Sequence, residues 1–383
     1  MERKEWAEET AQKIIKKVAA CAARSQHKIP YTAKDGVFDD QSKTNIYWWT
    51  NGFWGGMMWQ MYHATKEELY EKIARENEEK LDAVFLNYEA MDHDSGFRWL
   101  PTAVADYRVT KDPAAKNRGL LAAENLAGRF NPAGNYFRAW NDENGKNRAD
   151  LAIIDCMMNL PLLYWAAEEL DDPRYFHLAV AHADMALKNF IRPDGSVNHI
   201  VSIDPQTGEM RGSLGGQGYA EGSSWTRGQA WAIYGFVLSY LHAKDERYLN
   251  AAKTVAHYFI ANIPESGCIP VDFRQPGDCS LEDSTAAAIA ACGLLEIEKC
   301  VPEHEKRLYA DAAFKLLYTL AEKRCNWDEN ADHMLEKCTA AFHDEEHEFP
   351  IIYGDYYFLE AIWKITGREL FIWWEEQKRD LQM

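Results

Sequence analysis

Along this chain, segments that are apolar on every side alternate with segments that are apolar on one face and charged on the other. The clearest unit is SWTRGQAWAIYGFVLSYLHAKDERYLNAAKTVAHYFIANIPESG, residues 224–267. It reads as a helix opened by polar and aromatic residues, a short charged turn, an Arg-Tyr pair, a second helix with Ala every three or four positions, and a Pro/Gly stop. A second copy occupies residues 153–196, and a weaker third runs from Asp283 through Arg307-Leu308-Tyr309 to Arg324. Related starts stand at Thr50-Asn51-Gly52-Phe53-Trp54, at Gly96-Phe97 and at Gly354-Asp355-Tyr356.

The second helices follow Leu69-Tyr70, Lys116-Asn117, Arg174-Tyr175, Arg247-Tyr248, Leu308-Tyr309 and, in truncated form, Glu369-Leu370. Tyr175, Tyr248 and Tyr309 recur at intervals of 73 and 61 residues, enough for one helical hairpin and a decorated loop. Such units stack on their neighbours and must close or be capped. Six of them predict an all-α (α/α)6 toroid of about twelve helices. The all-apolar first helices form its inner ring, and the one-sided second helices, such as His177 to Phe190, form its outer ring. Val197 to Ile203, followed by the turn Asp204-Pro205-Gln206-Thr207-Gly208, predicts one small β-hairpin on the loop side. No linker or low-complexity stretch interrupts the chain, so residues 1–383 are assigned to a single catalytic domain.

Composition narrows the function. A net charge of −18 without a Lys/Arg run excludes nucleic acid and anionic membranes as expected partners. Fourteen Trp and nineteen Tyr exceed what packing alone asks for and fit a ring-binding cleft. The eight Cys contain no CxxC pair and read as reduced core residues. The charged start Met1-Glu2-Arg3-Lys4-Glu5-Trp6 has no apolar leader, and no apolar run reaches membrane-spanning length. A cytoplasmic monomer or homodimer is the expectation.

In a helical toroid the starts of the inner helices converge on one mouth. Those starts bring Trp48-Trp49-Thr50-Asn51, His93-Asp94, Trp140, Asp155, Trp225, Arg227, Trp231, Asp283 and Asp355 together. Asp155 lies in Ala152-Ile153-Ile154-Asp155-Cys156-Met157-Met158-Asn159-Leu160, an apolar run that favours the protonated carboxyl a general acid needs. Taken alone, a buried Asp satisfied by helix-start amides or an Arg is the better account of it, and the residues around it are what shift the balance. N-capping accounts for Asp283 and extends to Asp355. The combination of Asp94, Asp155 and Arg227 with several Trp residues fits carbohydrate chemistry better than capping does. No metal site or cofactor is expected, because there is no HExxH and His93-Asp94 is not a ligand spacing. There is no GxSxG elbow either. Gly215-Gly216-Gln217-Gly218 lacks the ending of a phosphate loop and reads as a flexible rim loop.

The segments HDSGF (93–97), IIDCMMNLPLLYWA (153–166), SSWTRGQAWAIYGFVLSY (223–240), DSTAAAIAACGLLEI (283–297) and YGDYYFLEAI (353–362) resemble the unsaturated glucuronyl hydrolases, glycoside hydrolase family 88. The resemblance runs in order from about Asn45 to Ile365. It implies a general acid/base at Asp155 and a second essential carboxylate at Asp94. It also implies substrate contacts from Trp48, His93, Trp140, His199, Gln217, Trp225, Arg227 and Trp231. The implied substrate is a small oligosaccharide ending in a 4,5-unsaturated uronic acid, with Arg227 receiving the uronate carboxylate. One stretch departs from members acting on sulfated disaccharides, which carry Ser and Lys before the GDYY block. Here Phe342-His343-Asp344-Glu345-Glu346-His347-Glu348-Phe349 is short and acidic, which disfavours a sulfate ester.

Three rival readings remain at this level. An unsaturated rhamnogalacturonyl hydrolase shares the toroid and one catalytic Asp but matches these blocks poorly. A sugar epimerase needs a pair of His residues, for which only His93 and His199 stand at the mouth. A glycan-binding toroid keeps the Trp residues and has no use for an Asp in an apolar run.

Overall fold

The computed structural model describes residues 3–143 and 145–375; the ends of the assigned 1–383 domain and Asn144 lie outside the described residues. In chain order the helices are α1 (Arg3–Arg24), the single turn α2 (Gln41–Thr44), α3 (Phe53–Thr65), α4 (Glu68–Leu81), α5 (Ser95–Trp99), α6 (Ala105–Thr110), α7 (Pro113–Ala127) and α8 (Leu160–Leu170). There follow α9 (Pro173–Asn189), α10 (Thr226–Ala243), α11 (Glu246–Ala261), α12 (Ser284–Cys300), α13 (Glu303–Lys323) and α14 (Ile352–Thr366). A π-helical turn, Leu100–Val104, joins α5 to α6, so these two make one inner helix. Pro101 has no N–H to give that turn, and Thr102 Oγ1 donates to the Arg98 carbonyl at 2.6 Å.

The charged turns in the sequence are the joints of the hairpins. Inner helices α3, α6, α8 and α10 end on Lys66, Lys111, Asp171 and Lys244, each in the left-handed conformation that stops a helix. At the next step Asp112, Asp172 and Asp245 accept the N–H two residues on and open α7, α9 and α11. Inner helices α3, α5/α6, α8, α10, α12 and α14 pack side by side and close on themselves. Outer helices α4, α7, α9, α11 and α13 each lie against the inner helix before them. The architecture is the expected (α/α)6 toroid.

The sixth outer helix is not where the sequence placed it. After α14 the chain turns at Gly367, and Glu369-Leu370 begins no helix. The outer position beside α14 is filled by α1 from the other end of the chain. The segment after Gly367 instead crosses the base of the ring: Leu370 exchanges two hydrogen bonds with the Gln60 side chain (2.9 and 3.0 Å), and Trp373 stacks on Tyr357. The apolar residues Leu370 to Trp373 therefore plug the ring, and the long amphipathic α1 takes the outer place beside α14.

On the mouth side the expected hairpin forms from β6 (Ile200–Ile203) and β7 (Met210–Leu214), with the small strands β1 (Ala33–Lys34), β2 (Val37–Phe38), β3 (Phe130–Asn131) and β4 (Tyr136–Phe137) elsewhere on the loops. A third strand, β5 (Leu151–Ile153), pairs antiparallel with β6, Ile153 opposite Ile200. That strand was not read from the sequence, and it delivers Asp155 to the mouth. No helix among the described residues is long and apolar enough to cross a membrane.

Candidate active site at the mouth of the ring

Asp155 opens no α-helix. It sits in the 3₁₀ turn Ile154–Met158 between β5 and α8. The Ile154 N–H donates to the His199 carbonyl (3.1 Å), so the β5–β6 pairing brings His199 beside Asp155, with Nε2 3.5 Å from Oδ2. The Gln217 N–H donates to His199 Nδ1 at 3.0 Å, which leaves Nε2 to carry the hydrogen of the neutral ring and face Asp155. Only glycine suits position 216: its φ is +60°, and a Cβ there would lie 2.0 Å from His199 Nδ1. The loop is anchored rather than flexible, contrary to the sequence reading. Buried Asp272 accepts from the N–H groups of Tyr219 (3.0 Å) and Ser224 (2.8 Å) and from the Ser223 hydroxyl (2.6 Å), and Gln217 Nε2 donates to the Ala340 carbonyl (2.9 Å).

Asp94 stands at the start of α5, 7% exposed like Asp155. Asn159 ties the two acids together. Its carbonyl accepts the Phe97 N–H (2.8 Å), and its amide reaches Asp94 Oδ1 (3.2 Å) and the Asp155 carbonyl (3.4 Å). Behind Asp94, Asp92 receives both Nη1 and Nη2 of Arg98 (2.9 and 3.0 Å) and the Asp94 N–H (2.9 Å). Burial, then the Asp92 charge and the Asp155 charge, push the Asp94 carboxyl well above the usual range, against Arg98 and Asn159. Its surroundings thus lift the Asp94 carboxyl, which the apolar run had not singled out. His93 Nε2 lies 3.4 Å from Asp94 Oδ1, and burial pushes this imidazole down to about 4 despite Asp92 and Asp155. At neutral pH it is uncharged.

Arg227 is buried at the start of α10, over the Trp225 ring at 4.5 Å. Its Nη1 donates to Asp283 Oδ2 (2.8 Å) and to the Thr339 carbonyl (2.6 Å), and its Nη2 to the Ala340 carbonyl. Two of its five N–H groups thus hold the α13–α14 loop and a third holds Asp283, so the free fork expected from the sequence is reduced to Nε and one Nη2 hydrogen. Asp283 does cap α12, accepting from the Thr285 N–H (3.1 Å), and it also holds Arg227. Asp355 is not a cap. It lies inside the first turn of α14 and accepts the N–H groups of Met334 (3.0 Å) and Leu335 (2.6 Å).

The expected aromatic wall divides in two. Trp48 and Trp140 are half-buried at the mouth, Trp140 edge-on to His93 at 6.3 Å. Trp225 lies against His199 with ring centroids 4.2 Å apart. Trp231 has no open face: it is fully buried one turn down α10, among Phe97, Tyr353 and Tyr357. Sequence reasoning missed Asn159, Asp92 and Arg98. The available signal was a polar residue one helical turn after Asp155 in an otherwise apolar run.

Asp155 Oδ2, His199 Nε2, Arg227 Nε and both His93 nitrogens are buried without a hydrogen-bond partner. Buried polar atoms are nearly always paired, so this concentration at one mouth marks a site built to receive polar groups. Two carboxyls, two imidazoles and a guanidinium beside half-exposed indoles suit proton transfer on a sugar acid. Among the described residues no group of three His, Cys, Asp or Glu is placed to hold a metal ion.

Comparison with known proteins points the same way. The model of Glycosyl Hydrolase Family 88 matches residues 21–372. An unsaturated chondroitin disaccharide hydrolase of Streptococcus pneumoniae is 35% identical over 344 residues, 86% of this chain and 83% of that protein. An unsaturated glucuronyl hydrolase of a Bacillus species is 36% identical over 340 residues, 85% of this chain and 88% of that protein. Among solved structures, an unsaturated glucuronyl hydrolase of a Bacillus species, responsible for the degradation of glycosaminoglycan, superposes with a TM-score of 0.87 at 32% identity, over 93% of this chain and 98% of that one. A Streptococcus agalactiae unsaturated glucuronyl hydrolase variant complexed with dGlcA-GalNAc6S superposes with a TM-score of 0.81 at 30% identity, over 95% and 92% of the two chains.

Proposed function

The chain belongs to Glycosyl Hydrolase Family 88, and on that premise we propose that it removes the 4,5-unsaturated uronic acid from the non-reducing end of lyase-generated glycosaminoglycan oligosaccharides. The observation that carries this reading is the pair of buried acids, Asp94 and Asp155, bridged by Asn159 under a rim of Trp48 and Trp140. The terminal sugar is an enol ether, so the reaction starts at its double bond. Asp155 gives a proton to C4, and positive charge develops at C5 and the ring oxygen. The Asp155 carboxylate then takes a proton from water as the oxygen bonds to C5. The resulting hemiketal opens and releases the partner sugar, for a net consumption of one water.

Interacting acids titrate as a unit, so the proton belongs to the pair rather than to one residue. Once Asp155 has delivered it, both carboxylates are ionised around the cation and stabilise it. His199 Nε2–H orients Asp155, and neutral His93 offers a donor to a substrate hydroxyl. The remaining Nε and Nη2 hydrogens of Arg227, with Gln217, meet the uronate carboxylate. Because C5 rather than the anomeric carbon is attacked, carboxylate spacing does not set the stereochemistry as it does in ordinary glycosidases. All eight Cys are unpaired, which supports a cytoplasmic setting.

The exposed Asp344, Glu345 and Glu346 flank His343, which bonds the Tyr219 carbonyl (2.7 Å) on the loop that carries Gln217. Their charge supports a preference for unsulfated or 4-sulfated over 6-sulfated disaccharides. The test is incubation with unsaturated chondroitin and hyaluronan disaccharides, following the ultraviolet band of the unsaturated uronate. The reading expects the band to bleach with release of the partner sugar. An unchanged band would defeat it.

A further inference from the structure

The Asn159 side chain bonds both acid-bearing elements, and its orientation is not free. The Phe97 N–H occupies its carbonyl at 2.8 Å, so its amide must face Asp94 Oδ1 and the Asp155 carbonyl. The two elements meet backbone to backbone here: a Cβ on Gly96 would lie 2.5 Å from the Asn159 Cα. We propose that Asn159 is a positioning residue which fixes the Asp94 carboxylate relative to the Asp155 turn and sets how the acid pair shares its proton. The inference rests on the acid-pair mechanism above and adds a residue to it.

The physical reason is the direction of the hydrogen bond. An amide N–H stabilises the ionised form of Asp94 and disfavours the protonated one. The other groups facing Asp94 are His93 and Asp92 on its own loop, Arg98 on α5, and Asp155 and Cys156 on the 3₁₀ turn. Of these, burial and the two acids press toward protonation, while Asn159 and Arg98 oppose it. Arg98 is itself committed to Asp92 and to the Tyr47 carbonyl. Asn159 is therefore the direct side-chain donor that opposes protonation of Asp94 and biases the pair's proton toward Asp155. Each unit by which Asp94 rises draws the proton away from Asp155 about tenfold.

The decisive variant is Asn159→Asp. It keeps the shape and the acceptor for the Phe97 N–H, and it replaces the donor to Asp94 with a further acid. Loss of the donor raises the pH at which the pair gives up its last proton. The basic limb of kcat/KM should therefore move up by about one unit and the plateau fall about tenfold, with kcat carrying the loss rather than KM. Asn159→Ala should move the limb in the same direction. Unmoved limbs, or a loss confined to KM or to thermal stability, would overturn the proposal. A second readout needs no turnover: the carboxyl carbon resonance of Asp94, identified by its disappearance in Asp94→Asn, should titrate at higher pH in Asn159→Asp than in the parent. If the parent bleaches no unsaturated disaccharide yet this midpoint moves, the substrate assignment fails and the role of Asn159 stands. If the disaccharide is bleached and the midpoint stays, the reverse holds.

Discussion

At the base of the ring, the Lys364 ammonium sits 2.6 Å from Glu296 and 3.6 Å from Glu360, and it also bonds Glu369. Trp373 Nε1 completes Glu360 at 2.8 Å. At the mouth, Asp155 Oδ2, His199 Nε2 and the His93 nitrogens are equally buried and bond nothing. Burial opposes the Lys364 charge, but Glu296, Glu369 and Glu360 outweigh it and hold the ammonium well above its ordinary range. At Asp94 the answer falls short: Arg98 and Asn159 oppose burial, but the neighbouring charges of Asp92 and Asp155 add to it. The same ring thus buries charge twice. The base matches its charges to one another and holds the C-terminal plug, whereas the mouth leaves its groups for a substrate to complete.

This contrast predicts that changes at the two ends will cost different things. The largest effect belongs to Asp155→Asn, which should lower kcat for bleaching the unsaturated disaccharide by at least about a thousandfold, the loss expected when a general acid/base goes, while the denaturant midpoint moves little. Near-parental turnover in that variant would remove Asp155 from the mechanism. Next comes Lys364→Met, which leaves buried Glu360 without its cation and Glu296 and Glu369 with Lys299 alone. Chemical unfolding should show a loss of about 3–5 kcal/mol, as for other broken buried ion pairs, with turnover by the remaining folded protein close to the parent's. Should it cost activity and no stability, the division of labour between base and mouth is wrong.

A smaller effect, of opposite sign, is expected for Asp94→Asn. Folding raises the Asp94 carboxyl above its unfolded value of about 3.9. Its favourable contribution is complete below that pH and is lost as pH rises through the folded value. The variant should therefore gain thermal stability over the parent at pH 7, gain less at pH 4, and lose activity at both. Equal differences in melting temperature at the two pH values would mean that Asp94 is not held protonated by folding. The smallest change is at the rim. Glu345→Lys, with the exposed charge reversed, should raise kcat/KM for a 6-sulfated disaccharide several-fold over the unsulfated one, and raised salt should shrink that gain. An unaltered ratio would take the acidic loop out of the specificity argument.

Much of the ring was legible because its signals are local. Helix periodicity, the left-handed stops at Lys66, Lys111 and Lys244, and the Asp caps at Asp112, Asp172 and Asp245 lie within a few residues of one another. Convergence of the inner-helix starts then placed Asp94, Asp155, His93 and Arg227 at one mouth. What was misread involved competition between distant segments. Glu369-Leu370 looked like the start of an outer helix until α1 claimed that position. Trp231 looked like a wall until Phe97, Tyr353 and Tyr357 closed around it. The Gly215–Gly218 loop looked mobile because nothing nearby in sequence anchors it; Asp272 and Ala340 do.

By itself, then, the chain's pattern determined a closed double ring of helices, five of its six pairs in place, and the family of chemistry at its mouth, since periodicity, capping and residue type act over one or two helical turns. Only the tertiary structure decided that the Asp94 carboxyl is lifted, which His tautomer faces Asp155, and how much of Arg227 remains for a ligand. Those properties depend on burial and on bonds such as Asn159 to Asp94, whose partners stand 65 positions apart in the chain. A carboxyl's ionisation is set by whatever packs around it, and no local pattern carries that.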